Sequence, residues 1–260
     1  MTDKNFAIMT SADRAATIKD LAALLKKHEI EGAKIETNRE CVCPIGAKEI
    51  DDKTTLTISK KCGMGEKAKV DAFKQEFKSL GYKGVQCEVQ CLVNQGEQYV
   101  TIADVVDINN NNKVNLEHKQ GEVWLVDFWA TWCPPCQAPM AHNQEMLTKN
   151  EAAWSEEGKK VRIIGVSIDQ SSEAVVNHVK AKGWEKVEHY HRDKSECSEL
   201  YGVKGVPHVM IVDRDGKIVF KGHPAGRPNL EQDFNDLREG KAITVESKDE
   251  EKKEAEGAGK

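Results

Sequence analysis

Two cysteines stand three residues apart at Cys133 and Cys136, separated by Pro134 and Pro135 and placed directly after the apolar run Leu125-Val-Asp-Phe-Trp-Ala130. An apolar strand running into prolines predicts a helix that begins at Pro134, because the first helical position has no use for a backbone N–H. At i, i+3 spacing the two side chains share a face of the first turn, within the roughly 4.4 to 6.8 Å Cα separation that a disulfide tolerates. Such a pair can open and close without refolding. The unpaired N–H groups of the helix start favour a negative sulfur on Cys133 and should lower its pKa. Cys133 is then the exposed nucleophile, and Cys136, one turn inward, resolves the mixed disulfide. The same spacing also serves a zinc half-site, but no second Cys-x-x-Cys or Cys-x-x-His follows to complete one. Trp132, immediately before the nucleophile, reads as part of a substrate surface.

Val126-Asp-Phe-Trp-Ala130 and Trp132-Cys-Pro-Pro-Cys136 resemble thioredoxins, in particular the TlpA-like branch and the related tryparedoxins and nucleoredoxins, and the resemblance runs from about residue 97 to 240. In thioredoxin, the standard example of the effect, the nucleophile's pKa is about 7 against about 8.5 for free cysteine. The resemblance implies that Asp127 is a buried carboxylate exchanging a proton with Cys136, and burial would raise its pKa toward neutrality. It further implies that Pro207, ending Tyr201-Gly-Val-Lys-Gly-Val-Pro207, is cis and faces the dicysteine. Val206 would then offer backbone hydrogen bonds to an extended client peptide, beside Trp132 and Pro134. His208 departs from the family, where threonine usually follows the cis-proline, and Pro139 should kink the helix.

These residues need a scaffold, and 260 residues suit one large domain or two ordinary ones. Residues 1–93 read in the order αββαβ: a helix from Ser11 with Ile18, Leu21 and Leu25 on one face, strands over 33–43 and 54–60, a helix over 66–80 closed by Gly81, and a strand over 85–93. That predicts a small α+β domain with helices on an antiparallel sheet. Asn94-Gln-Gly-Glu97 reads as a linker, and residues 97–241 as an α/β domain of the thioredoxin fold. Strands are expected over 99–108, 114–116, 123–130, 161–168, 209–212 and 217–221, and helices over 134–150, 173–183 and 229–240. The resulting mixed central sheet would carry helices on both faces and an N-terminal β-hairpin turning at Asn109–Asn112. Residues 242–260 are almost wholly charged, glycine or alanine after the first few, and are expected to be disordered.

The remaining cysteines are Cys41, Cys43, Cys62, Cys87, Cys91 and Cys197. Val85, Cys87, Val89, Cys91 and Val93 alternate along one strand face, where cysteine packs as a small apolar residue. Cys87 and Cys91 would lie roughly 13 Å apart along the strand, too far to share one ion or a disulfide. Cys41 and Cys43 could point toward Cys62 on a neighbouring connection, which leaves a metal or regulatory thiol cluster open beside core packing. Cys197 reads as helical and structural or as an oxidation-sensitive thiol, and His189-Tyr-His191 as alternating along a possible strand, its histidines solvated, with no third ligand in view.

The net charge of −5 offers nothing to nucleic acid, and no basic cluster points to an anionic membrane. The sequence holds no run of about 18 apolar residues, the length that a helix needs to span a bilayer. The first residues lack the pattern of a secretory signal, so the expected location is cytoplasmic, with most thiols reduced. The leading expectation is a protein disulfide reductase acting on disulfide-containing client proteins. It would bind no cofactor and no metal, its redox group being the Cys133/Cys136 pair, re-reduced by a thioredoxin-reductase-like enzyme or a small dithiol. The alternative is a thioredoxin-fold structural or assembly subunit of a larger complex. A peroxidase is discounted because Pro-x-x-x-Thr-x-x-Cys is absent.

Overall fold

A computed structural model describes residues 11–42 and 51–243, and the chain folds as two compact units, Met1–Leu92 and Val93–Lys260. In the first, helix α1 (Ser11–Lys27) precedes strands β1 (Lys34–Val42) and β2 (Asp51–Cys62), helix α2 (Lys67–Leu80) and strand β3 (Val85–Cys91). Gly81 ends α2 in the left-handed conformation, φ 63°, that glycine adopts without a steric penalty. The sheet runs β1-β2-β3. Strands β1 and β2 pair antiparallel, but β2 and β3 pair parallel with Leu56 opposite Val85, which corrects the all-antiparallel expectation. The cause is α2, whose length carries the chain back to the end of the sheet where β2 began, as parallel neighbours require. Leu21, Leu56, Ile58, Phe73 and Val89 form the core of this unit.

The second unit holds strands β4 (Ile102–Asp107), β5 (Lys113–Leu116) and β6 (Val123–Trp129), then helices α3 (Pro134–Lys149) and α4 (Glu151–Trp154). Strand β7 (Val161–Ser167), helix α5 (Ser172–Lys182), strand β8 (Glu188–His191) and the short helix α6 (Cys197–Leu200) follow. Strands β9 (His208–Val212) and β10 (Ile218–Gly222) and helix α7 (Leu230–Arg238) complete it. The seven-stranded sheet is ordered β10-β9-β6-β7-β8-β4-β5. Strands β6, β7 and β8 are parallel, and β9, β10, β4 and β5 join antiparallel. Every residue of β6 is buried, as a central strand covered on both faces demands.

Strand alternation sorts the two faces of β6. Leu125 and Trp129 share a cluster with Met140 of α3, Val175 of α5, and Phe234 and Leu237 of α7. On the opposite face, Trp124 meets the Tyr99 ring at 5.4 Å and Phe128 meets Tyr201, just after α6, at 6.3 Å. The longer helices therefore gather on one side, while aromatic side chains from the loops and α6 fill the other. The hairpin turns as expected, with the Asp107 amide donating to Asn112 O at 2.9 Å. Asn94–Glu97 is no free linker. The Gly96 amide donates to Ile218 O at 2.8 Å and the Ile218 amide to Glu97 O at 2.9 Å, so this stretch is tied to β10. The charged tail from residue 244 onward lies outside the described residues.

Candidate redox site

Strand β6 delivers the site at its C-terminal end. Cys133 caps α3 with extended backbone, φ −96° and ψ 100°, and Pro134 occupies the first turn. The two sulfurs are joined as a disulfide with Cα atoms 5.4 Å apart. Cys133 is 3% exposed and Cys136 1%, so both are buried in this oxidised form and the expected exposure of Cys133 is not seen in it. Both cysteines join the cluster around Leu125 and Trp129. Beside them Trp132 stands 63% exposed, an unusual setting for so large an apolar ring. Pro134 is exposed as well.

The register of β9 on β6 pairs Phe128 with His208, which brings residues 206–207 to the same end of the sheet as the dicysteine. The Val206–Pro207 bond is cis. Val206 packs partly buried against the cluster that contains both cysteines. His208 is half-buried, its Nε2 has no partner, and burial followed by the charge of Lys221 pulls its pKa down.

Asp127 sits between Val209 of β9 and Gly165 of β7 and is 1% exposed. Its Oδ2 accepts a 3.1 Å hydrogen bond from Asn143 Nδ2, while Oδ1 has no partner. Burial without a cation drives its pKa from 3.8 up to about 8, and the Asn143 bond opposes the rise. A cleft of about 280 Å³ runs past it, lined by Asp127, Pro139, His142, Asn143, His223 and Arg227 among others. A carboxyl held near neutrality in such a place can accept and return a proton.

Two residues that position the site were not singled out from the sequence. Asn143 lies seven residues beyond Cys136, two turns along α3, so the spacing that puts it on the inner face was readable. Asp169 is buried just after β7 and accepts from Thr131 N at 2.9 Å, Thr131 Oγ1 at 2.6 Å and Ser167 Oγ at 2.6 Å. It fixes the turn that carries Trp132 and Cys133. A carboxylate at the C-terminal end of a parallel strand next to the central one is the available signal, since sites in such sheets gather there.

Other sequence expectations change. His189 and His191 are buried at 2% and 6%, not solvated. His189 Nε2 bonds Trp184 O at 3.1 Å, His191 Nε2 bonds Asp169 O at 2.7 Å, and burial pushes the His189 pKa down to about 4. They lie on β8, a strand next to β7, where burial overrides the polar appearance of Glu188-His-Tyr-His191. Cys197 is helical and buried. Cys62 ends β2 rather than lying on a connection. Cys43 and the side chain of Cys41 lie outside the described residues, among which no group of three or more His, Cys, Asp or Glu could hold a metal ion. No described helix is long and apolar enough to cross a membrane.

Residues 121–218 match the family described as thioredoxin-like. A thiol-disulfide oxidoreductase ResA from Bacillus thuringiensis subsp. konkukian is 32% identical over 116 residues, 44% of this chain and 62% of the relative. Nucleoredoxin from Xenopus laevis is 28% identical over 112 residues, 43% of this chain and 26% of that protein. The chain thus spans less than two thirds of the length of these curated relatives. The crystal structure of an uncharacterized conserved protein from Geobacillus kaustophilus has the same fold, with TM-score 0.50 and 19% identity over 60% of this chain and 87% of that one. The stretch from Gly121 to Ile218 that is similar to the thioredoxin-like family includes β6, the dicysteine, Asp127 and Pro207.

Proposed function

We propose that the chain is a thiol-disulfide oxidoreductase that reduces disulfides in client proteins through Cys133 and Cys136. The observation that carries the reading is the disulfide at the head of α3, at the same end of the sheet as residues 206–207 and following the strand that holds a near-neutral Asp127.

In the reduced enzyme, the Cys133 thiolate attacks one sulfur of a client disulfide, and the other client sulfur leaves as a thiolate that takes up a proton. Cys136 then loses its proton and attacks the Cys133 sulfur, which expels the second client thiolate. Two electrons have passed to the client, and the enzyme is left as the disulfide. The orphan N–H groups of α3 stabilise the attacking thiolate. Asp127 accepts the Cys136 proton, by way of water in the adjoining cleft. Asn143 holds the carboxyl in place, and Asp169 holds the Thr131–Trp132 turn. Trp132 and Pro134 offer apolar surface to the client, and Val206 offers backbone hydrogen bonds to an extended segment, adding a strand-like contact.

No prosthetic group takes part; a thioredoxin-reductase-like enzyme or a small dithiol returns the disulfide to the dithiol. That reductant sets the direction, since a thioredoxin-type couple at about −270 mV, once reduced, passes electrons on to client disulfides of less negative potential. The test is turbidimetric insulin reduction with dithiothreitol as electron donor. The wild-type chain should shorten the lag and the Cys133→Ser variant should match the uncatalysed blank. Equal lags for both would sink the proposal.

A further inference from the structure

Among the thiols of the first unit, none of which the proposed reaction uses, two end adjacent strands. Cys62 closes β2 and Cys91 closes β3, and the parallel register makes the two residues direct partners. Partners on adjacent parallel strands point to the same face and sit about 4.8 Å apart, inside the Cα range that a disulfide accepts. Their sulfurs are 3.7 Å apart, and Cys62 Sγ also lies 3.4 Å from Gln90 O. Cys87, by contrast, is partnered with Ile58, a full four residues back along the strand. Its thiol is out of reach of Cys62.

We propose that Cys62 and Cys91 form a second dithiol–disulfide couple, oxidised by low-molecular-weight disulfides of the glutathione type. Cys91 is the entry thiol, being half-buried where Cys62 is buried. Its thiolate attacks one sulfur of the small disulfide and releases one small thiolate. Cys62 then gives up its proton and attacks the Cys91 sulfur, releasing the second. The protein loses two electrons and two protons, and the small disulfide becomes two small thiols.

The surroundings favour the closed form. Burial, then the hydrogen bond with Cys62 and the charges of Cys62 and Asp71, push the Cys91 pKa up to about 11, with only Lys67 opposing. A dithiol denied a stable thiolate is the reverse of the strongly oxidising pairs, whose reduced forms are stabilised as thiolates. Little rearrangement is needed to close the bond. The Leu92 amide already donates to Cys62 O at 2.8 Å, so the ends of the two strands are held together before any covalent link. The disulfide would fasten edge strand β3 to central strand β2 at the last residues before the unit ends.

The couple can be read on the full wild-type chain without any substitution. The protein is equilibrated in equimolar reduced and oxidised glutathione, quenched with acid, alkylated and mapped by mass spectrometry under non-reducing conditions. Cys62 and Cys91 are expected joined to each other in more than half of the molecules, with Cys87→Ser giving the same result and Cys91→Ser leaving Cys62 alkylated. Free or glutathionylated Cys62 and Cys91 in most molecules would overturn the proposal, as would Cys62 joined to Cys41, Cys43 or Cys87. Circular dichroism of Cys91→Ser verifies that its result comes from a folded chain, and the wild-type map decides if it does not fold.

Discussion

Replacing Asp127 with asparagine should stabilise the second unit, and by an amount that grows with pH. The carboxyl is buried, has one neutral hydrogen-bond donor and no cation, and titrates at about 8 in the fold against 3.8 when free. Its folded pKa is raised, so the protonated form is the one the fold prefers. The associated stability is fully present below about pH 4 and is lost as pH rises through 8. Between those limits unfolding releases a proton, and stability falls by roughly 1.4 kcal/mol for each pH unit. Over the whole interval the loss is on the order of 5 kcal/mol, an upper limit because water entering the adjoining cleft would relieve part of the burial. Asparagine keeps the shape and an acceptor for Asn143 but cannot ionise. The depressed His189 titration contributes equally to both proteins and cancels in the difference. All five tryptophans, Trp124, Trp129, Trp132, Trp154 and Trp184, lie in the second unit, so urea unfolding followed by their fluorescence reports on that unit. The two proteins should coincide near pH 4 and diverge steadily up to pH 8, with Asp127→Asn the more stable. Parallel stability curves across this range, or a wild type that gains on the variant as pH rises, would refute the assignment of a buried, near-neutral carboxyl.

Cys136→Ser should accumulate covalent adducts with client proteins while Cys133→Ser should not, because only the second thiol resolves the mixed disulfide; non-reducing gels after pull-down decide, and equal adducts from both would mean that the roles are reversed or shared. Asp169→Ala strands the Thr131 amide and two hydroxyls and should cost roughly 1 to 3 kcal/mol, with Asp169→Asn recovering part of it, as read from the urea midpoint. A side chain at Gly165 would place Cβ 2.9 Å from His189 Nδ1 and 3.0 Å from Trp129 Nε1, so Gly165→Ala should lose about 1 to 3 kcal/mol; an unchanged midpoint would show that the buried rings can move aside. Trp132→Ala should leave stability within about 0.5 kcal/mol, since the ring is exposed, yet slow insulin reduction severalfold, and unchanged turnover would remove Trp132 from the client surface.

The chemistry was legible where the sequence carries several constraints at once. Val126-Asp-Phe-Trp-Ala130 is too apolar for an edge strand, and two prolines beside cysteines at helical spacing admit few backbones; the fold of the second unit follows from those local demands. Along β8 the alternation of His189-Tyr-His191 suits a strand, but the burial of its histidines was hidden because Glu188-His-Tyr-His191 looks polar and that burial depends on partners outside the strand: Trp184 O for one histidine, Asp169 O for the other. A polar side chain is buried when a partner meets it, and no periodicity within the strand records that partner. The same holds for Asp169, whose importance rests on Thr131, 38 residues away. In the first unit, the alternation of Val85, Cys87, Val89 and Cys91 fixed which face turns inward, but not that β3 pairs parallel with β2. That pairing alone brings Cys91 to Cys62, because in an antiparallel arrangement the end of one strand faces the start of the other. Spacing within one strand correctly separated Cys87 from Cys91, and it was silent on the contact between strands. The dicysteine could be read because its two sulfurs are three residues apart; the second pair is 29 residues apart, and only the parallel return through α2 joins it.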